Sequence, residues 1–133
     1  MKITVIDGQG GRIGRQVIEA IRTAGLDAEI TAVGTNSLAA SAMLKGGADN
    51  AATGENAVAV NARRADVIIG PIGIVIADSL LGEITPAMAV AVGQSEATRL
   101  LLPINQCGNV VVGVSDLSIS ALIGEAVAAL AAM

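Results

Sequence analysis

A glycine-rich stretch near the start of the chain is the strongest chemical signal in the sequence. Gly8, Gly10, Gly11 and Gly14 lie between a short apolar run and a segment with helical periodicity. Backbone N–H groups of such a loop, together with the amino end of the following helix, bind phosphate oxygens. The spacing departs from the dinucleotide fingerprint G-x-G-x-x-G, because Gln9 occupies the position of its first glycine. The stretch therefore predicts either a phosphate site or a turn that serves only close strand–helix packing.

Small and polar residues also follow the other predicted strands. In an open parallel sheet, ligands bind beyond the carboxyl ends of the strands, so these loops extend the candidate site. The predicted binding residues are Gly8, Gln9, Gly10, Gly11, Arg12, Ile13, Gly14, Gly34, Thr35, Asn36, Gly70, Pro71, Ile72, Gly73 and Asn105. The predicted cofactor is NAD(P) or another nucleotide, although no acid ends the second strand to bind the ribose of NAD. Arg12 and Arg15 either neutralise phosphate charge or are solvated.

The acidic residues do not decide whether the protein is an enzyme. Asp7 ends a buried strand beside the glycine loop, where it either binds Mg²⁺, acts as a base or accepts bonds from the loop's own N–H groups. Glu55 suits the first turn of a helix on electrostatic grounds alone. Glu83 is expected to cap a helix or face solvent, and Asp78 to lie on the exposed side of a helix. The sequence identifies no catalytic residue.

Composition excludes several kinds of chemistry. The 133 residues include no histidine, no aromatic residue and one cysteine, Cys107, and the net charge is -4. Without histidine there is no Ser-His-Asp or Cys-His pair, and Cys107 is expected to be inert. One cysteine cannot form a zinc site, and apart from the Mg²⁺ alternative at Asp7 we assign no metal ligands. The negative charge and the lack of stacking aromatics argue against nucleic acid as a partner.

Alternating short apolar runs and helical patterns predict a single α/β domain over residues 1–133. The expected architecture is a doubly wound, Rossmann-like parallel sheet with helices on both faces. Strands are predicted at Ile3–Ile6, Glu29–Val33, Val67–Ile69, Leu100–Leu102 and Val110–Val112, with a short one near Ala48–Asp49. Helices are predicted at Ile13–Arg22, Leu38–Lys45, from Thr53 to about Arg64, at Ile74–Leu81, Ala87–Val92 and Leu117–Met133. Asn36 or Ser37, Thr85 with Pro86, and Ser118 supply expected helix starts.

The sequence predicts a cytoplasmic protein that forms a homodimer. The apolar run from Val67 to Ala77 is too short to span a bilayer and is interrupted by glycine and proline. The first residues do not extend into a signal-peptide core, and the lone cysteine fits a reducing compartment. A core without aromatics gains from association, with Ile72–Leu81 and Leu117–Met133 as the candidate interfaces.

Several runs together resemble the bacterial family of domains of unknown function called DUF3842. They are VIDGQGGRIG from Val5, GTN from Gly34, SAMLK from Ser41, ATGEN from Ala52, GPIGI from Gly70, GEITP from Gly82 and LPIN from Leu102. The resemblance covers nearly the whole chain in order and implies a Rossmann-like fold, but no activity. Arg12 and Asp78 depart from the family pattern, which has glycine and asparagine there, so the resemblance does not support them as shared ligand contacts.

The sequence is compatible with three alternative functions. The first is a sensor or accessory subunit that binds a nucleotide or dinucleotide at the glycine loop. The second is a small NAD(P)H-dependent or Mg-phosphate enzyme whose site is completed across a dimer. The third is an interaction protein whose glycines serve packing and which binds no ligand. Enzyme function predicts Asp7, Glu55 or Glu83 converging on one pocket, whereas simple binding predicts N–H groups and amides there.

Overall fold

The computed structural model describes residues 1–104 and 108–133 of the chain, which form a five-stranded parallel sheet with helices on both faces. The strands are β1 (Lys2–Asp7), β2 (Glu29–Gly34), β3 (Asn50–Thr53), β4 (Val67–Pro71) and β5 (Thr98–Leu102). The helices are α1 (Arg12–Thr23), α2 (Ser37–Lys45), α3 (Glu55–Arg64), α4 (Pro86–Gln94) and α5 (Ile119–Ala131), with a short 3₁₀ helix at Ile72–Val75.

The order of the strands makes β1 the centre of the sheet. The order is β3-β2-β1-β4-β5, so β1 pairs with β2 on one side and with β4 on the other. The chain therefore reverses its direction of winding between β3 and β4. The point of reversal lies beside the carboxyl end of β1, where doubly wound folds bind ligands. The predicted doubly wound, Rossmann-like architecture is confirmed.

Alternating side chains of the central strands build a separate core on each face of the sheet. Ile3 and Val5 of β1 pack with residues of α1, α2 and α5, whereas Ile6 packs with residues of α3 and α4. A strand buried on both faces is continuously apolar, which explains the uninterrupted run in β4. The helix caps agree with the sequence, because the side chains of Asn36, Thr85 and Ser118 accept the first-turn N–H groups of α2, α4 and α5.

Two predicted elements are wrong. Residues 110–112 form no strand; Val110 and Val112 are exposed, and Gly108 and Gly113, both with positive φ, turn the chain on either side of them. The expected helix at Ile74–Leu81 is replaced by the short 3₁₀ helix and a series of turns. Asp78 therefore lies in a turn, with φ of 67°.

The predicted short third strand exists but begins one residue after Asp49, at Asn50. Its four residues pair with β2 at the edge of the sheet, from Asn50 opposite Thr31 to Thr53 opposite Gly34. In the described ranges, the structure contains no helix both long and apolar enough to cross a bilayer.

Candidate functional site

The loop after β1 is a tight turn that packs against α2. The N–H of Gly11 donates to the carbonyl of Gly8 over 2.9 Å and closes the turn. Gln9, which stands at the glycine position of the fingerprint, adopts a left-handed backbone with φ of 50°. Gly11 has φ of 72°, and a Cβ there would lie 2.7 Å from the Cα and carbonyl oxygen of Ala39. Gly11 is therefore required for the close approach of α2 to this loop.

The buried side chain of Asp7 holds the same loop through hydrogen bonds. Its side chain is buried, and its carboxylate oxygens accept the N–H groups of Gly8 and Gly14, each over 2.8 Å. Burial raises the pKa of the Asp7 carboxyl above its ordinary value, although the bonds from Gly14 and Gly8 act in the opposite direction. Asp7 thus takes the loop-holding role, one of the roles that the sequence left open.

A cleft of about 230 Å³ lies above the carboxyl end of β1, on the side of β4 and β5. The residues from Gly8 to Ile13 form one wall of this cleft, together with Asp7 beneath them. Leu80, Ile104 and Ile119 form the opposite, apolar wall. The cleft therefore joins the glycine loop to the segment before α4, the end of β5 and the start of α5.

The glycine-loop wall of the cleft carries donors that the described part of the protein does not use. Gly8, Gln9, Gly11 and Gly14 direct their N–H groups to protein oxygens. Across residues 1–104 and 108–133, by contrast, no acceptor lies within hydrogen-bonding distance of the backbone N–H groups of Gly10 and Arg12. Both residues are exposed, and Gly10 has open space where a Cβ would lie.

Glu83 closes the other side of the loop, towards β2. Its carboxylate accepts the N–H of Gln9 at 3.0 and 3.1 Å and the hydroxyl of Thr35 at 2.8 Å. It also accepts the side-chain amide of Asn36 at 2.7 Å, and that amide donates to the carbonyl of Gln9 at 3.0 Å. Burial opposes the charge of Glu83, but the bonds from Thr35, Asn36 and Gln9 outweigh it and hold its pKa below the ordinary value.

Residues 76–85 carry Glu83 to this position by an irregular path. The N–H of Asp78 donates to the carbonyl of Ile84 over 2.7 Å, and the hydroxyl of Ser79 bonds to the carbonyl of Gly73. Leu80 and Leu81 have φ of 55° and 56°, which is unfavourable for side chains of this size. Leu80 is buried in the wall of the cleft, whereas Leu81 is almost fully exposed. The position of Glu83 could not be predicted from the sequence, because no helical or strand periodicity encodes such a path.

The other predicted site residues that the structure describes do not line the cleft. Gly14 is buried beneath the loop, and Thr35 and Asn36 follow β2 in contact with Glu83. Gly70 and Pro71 end β4, and Ile72 and Gly73 begin the 3₁₀ helix. Asn105 and Cys107 lie outside the described residues. Ligand contact by any of these residues stays a prediction.

The other acidic and basic candidates take part in local pairs. Glu55 accepts the hydroxyl of Thr85 over 2.7 Å, which links the start of α3 to the start of α4. Arg15 forms an ion pair with Glu19, one turn further along α1, at 2.8 Å. Asp7, Glu55 and Glu83 thus do not converge on the cleft, since only Asp7 lines it. Within the described ranges, no group of three or more acidic or cysteine side chains is suited to hold a metal ion.

The sheet order and the glycine loop at its centre define a Rossmann-like α/β protein. Residues 2–133 match the model of the domain of unknown function DUF3842, and the chain belongs to that family. No curated protein sequence matches the chain.

A solved structure with a similar layout is the dodecameric FMN-dependent UbiX-like decarboxylase from Escherichia coli O157:H7. It shares 14% sequence identity, the similarity covers 98% of this chain and 91% of that chain, and the TM-score is 0.45. At this distance neither the ligand nor the assembly of the neighbour is transferred to the present protein.

Proposed function

We propose that the cleft above β1 binds the phosphate group of a nucleotide, and that the protein acts in the cytoplasm as a sensor or accessory subunit. The observation that carries the proposal is the pair of N–H groups of Gly10 and Arg12, which lie in the cleft wall without acceptors among the described residues. They point to an anion, because backbone N–H groups at the start of a helix favour negative charge.

The side chains that line the cleft fit the other parts of a nucleotide. The exposed Arg12 places its guanidinium on the first turn of α1, where it neutralises phosphate charge. The apolar wall of Leu80, Ile104 and Ile119 offers a surface for the face of a base.

The cleft supports binding better than turnover. Among the described residues that line it, the side chains that ionise are those of Asp7 and Arg12. The Asp7 carboxylate already accepts two backbone N–H groups and is buried beneath the loop, so it is poorly placed to accept a proton from a ligand. A sensor or accessory role needs no such proton transfer.

The test is a thermal-shift screen of nucleotides with the wild-type protein and two charge variants. Gly10→Asp adds a negative charge in the cleft wall at an exposed position with room for it, whereas Gly93→Asp adds the same charge on α4, also with room. A ligand that binds only the folded state raises the melting temperature. We expect a shift that Gly10→Asp removes and Gly93→Asp retains. No shift at millimolar concentration, or equal shifts in both variants, would overturn the proposal.

The homodimer is part of the same proposal. Leu81, from the segment expected at the interface, is 97% exposed, and Val110 and Val112 are exposed as well. Large apolar side chains in water favour association. Light scattering after size exclusion should give twice the monomer mass, and Leu81→Lys should lower it. A wild-type monomer at micromolar concentration would rule the homodimer out.

A further inference from the structure

The two sides of the glycine loop differ, and the difference bears on which ligand fits. On the side of β4 and β5, the loop faces the open cleft of about 230 Å³. On the side of β2, the loop is in direct contact with protein groups. The inference below rests on the proposed function and concerns the class of nucleotide.

Hydrogen bonds seal the β2 side without an intervening gap. Asn36, the residue that caps α2, donates to the carbonyl of Gln9, so the loops after β1 and β2 touch directly. Glu83 lies between the same two loops and bonds to Gln9, Thr35 and Asn36.

The packing at Gly8 is equally close. A Cβ there would meet the hydroxyl oxygen of Thr35 at 2.9 Å and a methyl group of Leu80 at 3.0 Å. Both neighbours are terminal side-chain atoms, so side chains and not backbone occupy the space beside Gly8. Protein side chains therefore fill the space between the loop that follows β1 and the loop that follows β2.

A dinucleotide would need open space between these two loops. In doubly wound folds the pyrophosphate lies at the loop after β1, and one nucleoside continues over the end of β2, where its ribose meets the residues after that strand. Here those residues, Thr35 and Asn36, bond to Glu83 instead.

We infer that the ligand is a mononucleotide, or another compound with one terminal phosphate group, and not a dinucleotide. Its phosphate binds to Gly10 and Arg12, and the rest of the molecule extends over the β4 and β5 side against Leu80, Ile104 and Ile119. The β2 side stays closed by Glu83 and Asn36 in the complex.

Isothermal calorimetry with AMP, NMN and FMN, compared with NAD⁺ and FAD, tests the inference. NAD⁺ contains AMP and NMN, and FAD contains AMP and FMN, so each comparison keeps the same ring system and the same sugar or ribityl chain. We expect at least one mononucleotide to bind about tenfold or more tightly than the dinucleotide that contains it. A dinucleotide that binds as tightly as its parts would overturn the inference but leave the phosphate site standing. No saturable binding of any of the five would overturn both.

Two further measurements test where the ligand binds and whether Glu83 and Asn36 exclude dinucleotides. In the wild-type protein, the mononucleotide should shift the backbone amide signals of Gly10 and Arg12 in a ¹⁵N-resolved spectrum and leave the side-chain amide of Asn36 unchanged. In the double variant Glu83→Ala with Asn36→Ala, the affinity for dinucleotides should come closer to the affinity for mononucleotides. A shifted Asn36 signal, or an unchanged difference in a folded double variant, would contradict closure of the β2 side.

Discussion

The carboxylate of Glu83 accepts the side-chain amide of Asn36 over 2.7 Å, although 47 residues separate them. This bond links the segment before α4 to the start of α2, on top of the central strands. Because Asn36 also bonds to Gln9, the three loops that follow β1, β2 and β4 are joined at one point. Glu83 thus sets the shape of the candidate site from a part of the chain remote in sequence.

Removal of the Glu83 side chain should destabilise the protein. Glu83→Ala leaves the donors of Gln9, Thr35 and Asn36 without their acceptor, and water replaces it only in part because Glu83 is half-buried. We expect the free energy of unfolding in denaturant to fall by about 1–3 kcal/mol. Glu96→Ala, at an exposed position, is the control and should change it little. Equal effects of the two variants would show that the Glu83 bonds contribute nothing.

The pH dependence of stability should differ in sign between Asp7 and Glu83. The folded-state pKa of Asp7 is raised, so its contribution is present below the ordinary value of 3.8 and is lost as pH rises through the folded value. The folded-state pKa of Glu83 is lowered, so its contribution is present above the ordinary value of 4.5 and is lost as pH falls through the folded value.

Difference curves against Asp7→Asn and Glu83→Gln measure these contributions. Wild-type stability minus that of Asp7→Asn should decrease with rising pH, starting near pH 3.8. Wild-type stability minus that of Glu83→Gln should increase with rising pH, up to about pH 4.5. Two curves with the same slope would contradict the environments described for these carboxylates.

The left-handed backbone of Gln9 should make glycine more favourable than alanine there. Both Gln9→Gly and Gln9→Ala remove the side chain and retain the N–H that donates to Glu83. With φ of 50°, alanine keeps the steric cost that glycine avoids. We expect the glycine variant to be more stable than the alanine variant by about 1 kcal/mol in chemical denaturation. An alanine variant of equal or greater stability would contradict this turn geometry.

Gly10 should tolerate substitution by alanine, whereas Gly11 should not. A Cβ at Gly11 would lie 2.7 Å from backbone atoms of Ala39, and its φ of 72° is unfavourable for alanine. A Cβ at Gly10 meets open space. Thermal melts should therefore show a loss of several degrees for Gly11→Ala, and little change for Gly10→Ala. A tolerant Gly11 would mean that α2 does not pack on the loop as described.

The sequence predicts the sheet well because burial on both faces leaves a strong pattern. The runs at β1, β2 and β4 are apolar and bounded by acids or glycines, and they appear within two residues of the predicted ends. Caps such as Asn36 and Thr85 act through bonds to residues three positions away, which spacing reveals. The same logic fails at 110–112, where a run of valines suggests a strand although the side chains face water.

The site is predicted only where it is local. The glycine loop and Asp7 are adjacent in sequence, so their proximity follows from the chain itself. The bond between Gln9 and Glu83 spans 74 residues and depends on left-handed turns at Leu80 and Leu81. No periodicity encodes such turns, because leucine is common in regular helices as well.

The proposed phosphate site consists of the backbone N–H groups of Gly10 and Arg12 in the glycine loop. The most direct measurement is a titration of ¹⁵N-labelled protein with AMP, NMN and FMN, following the amide signals of residues 8–14. We expect saturable shifts that are largest at Gly10 and Arg12, and that the Gly10→Asp variant suppresses. Unchanged signals at millimolar ligand, or shifts centred away from the loop, would contradict this proposal.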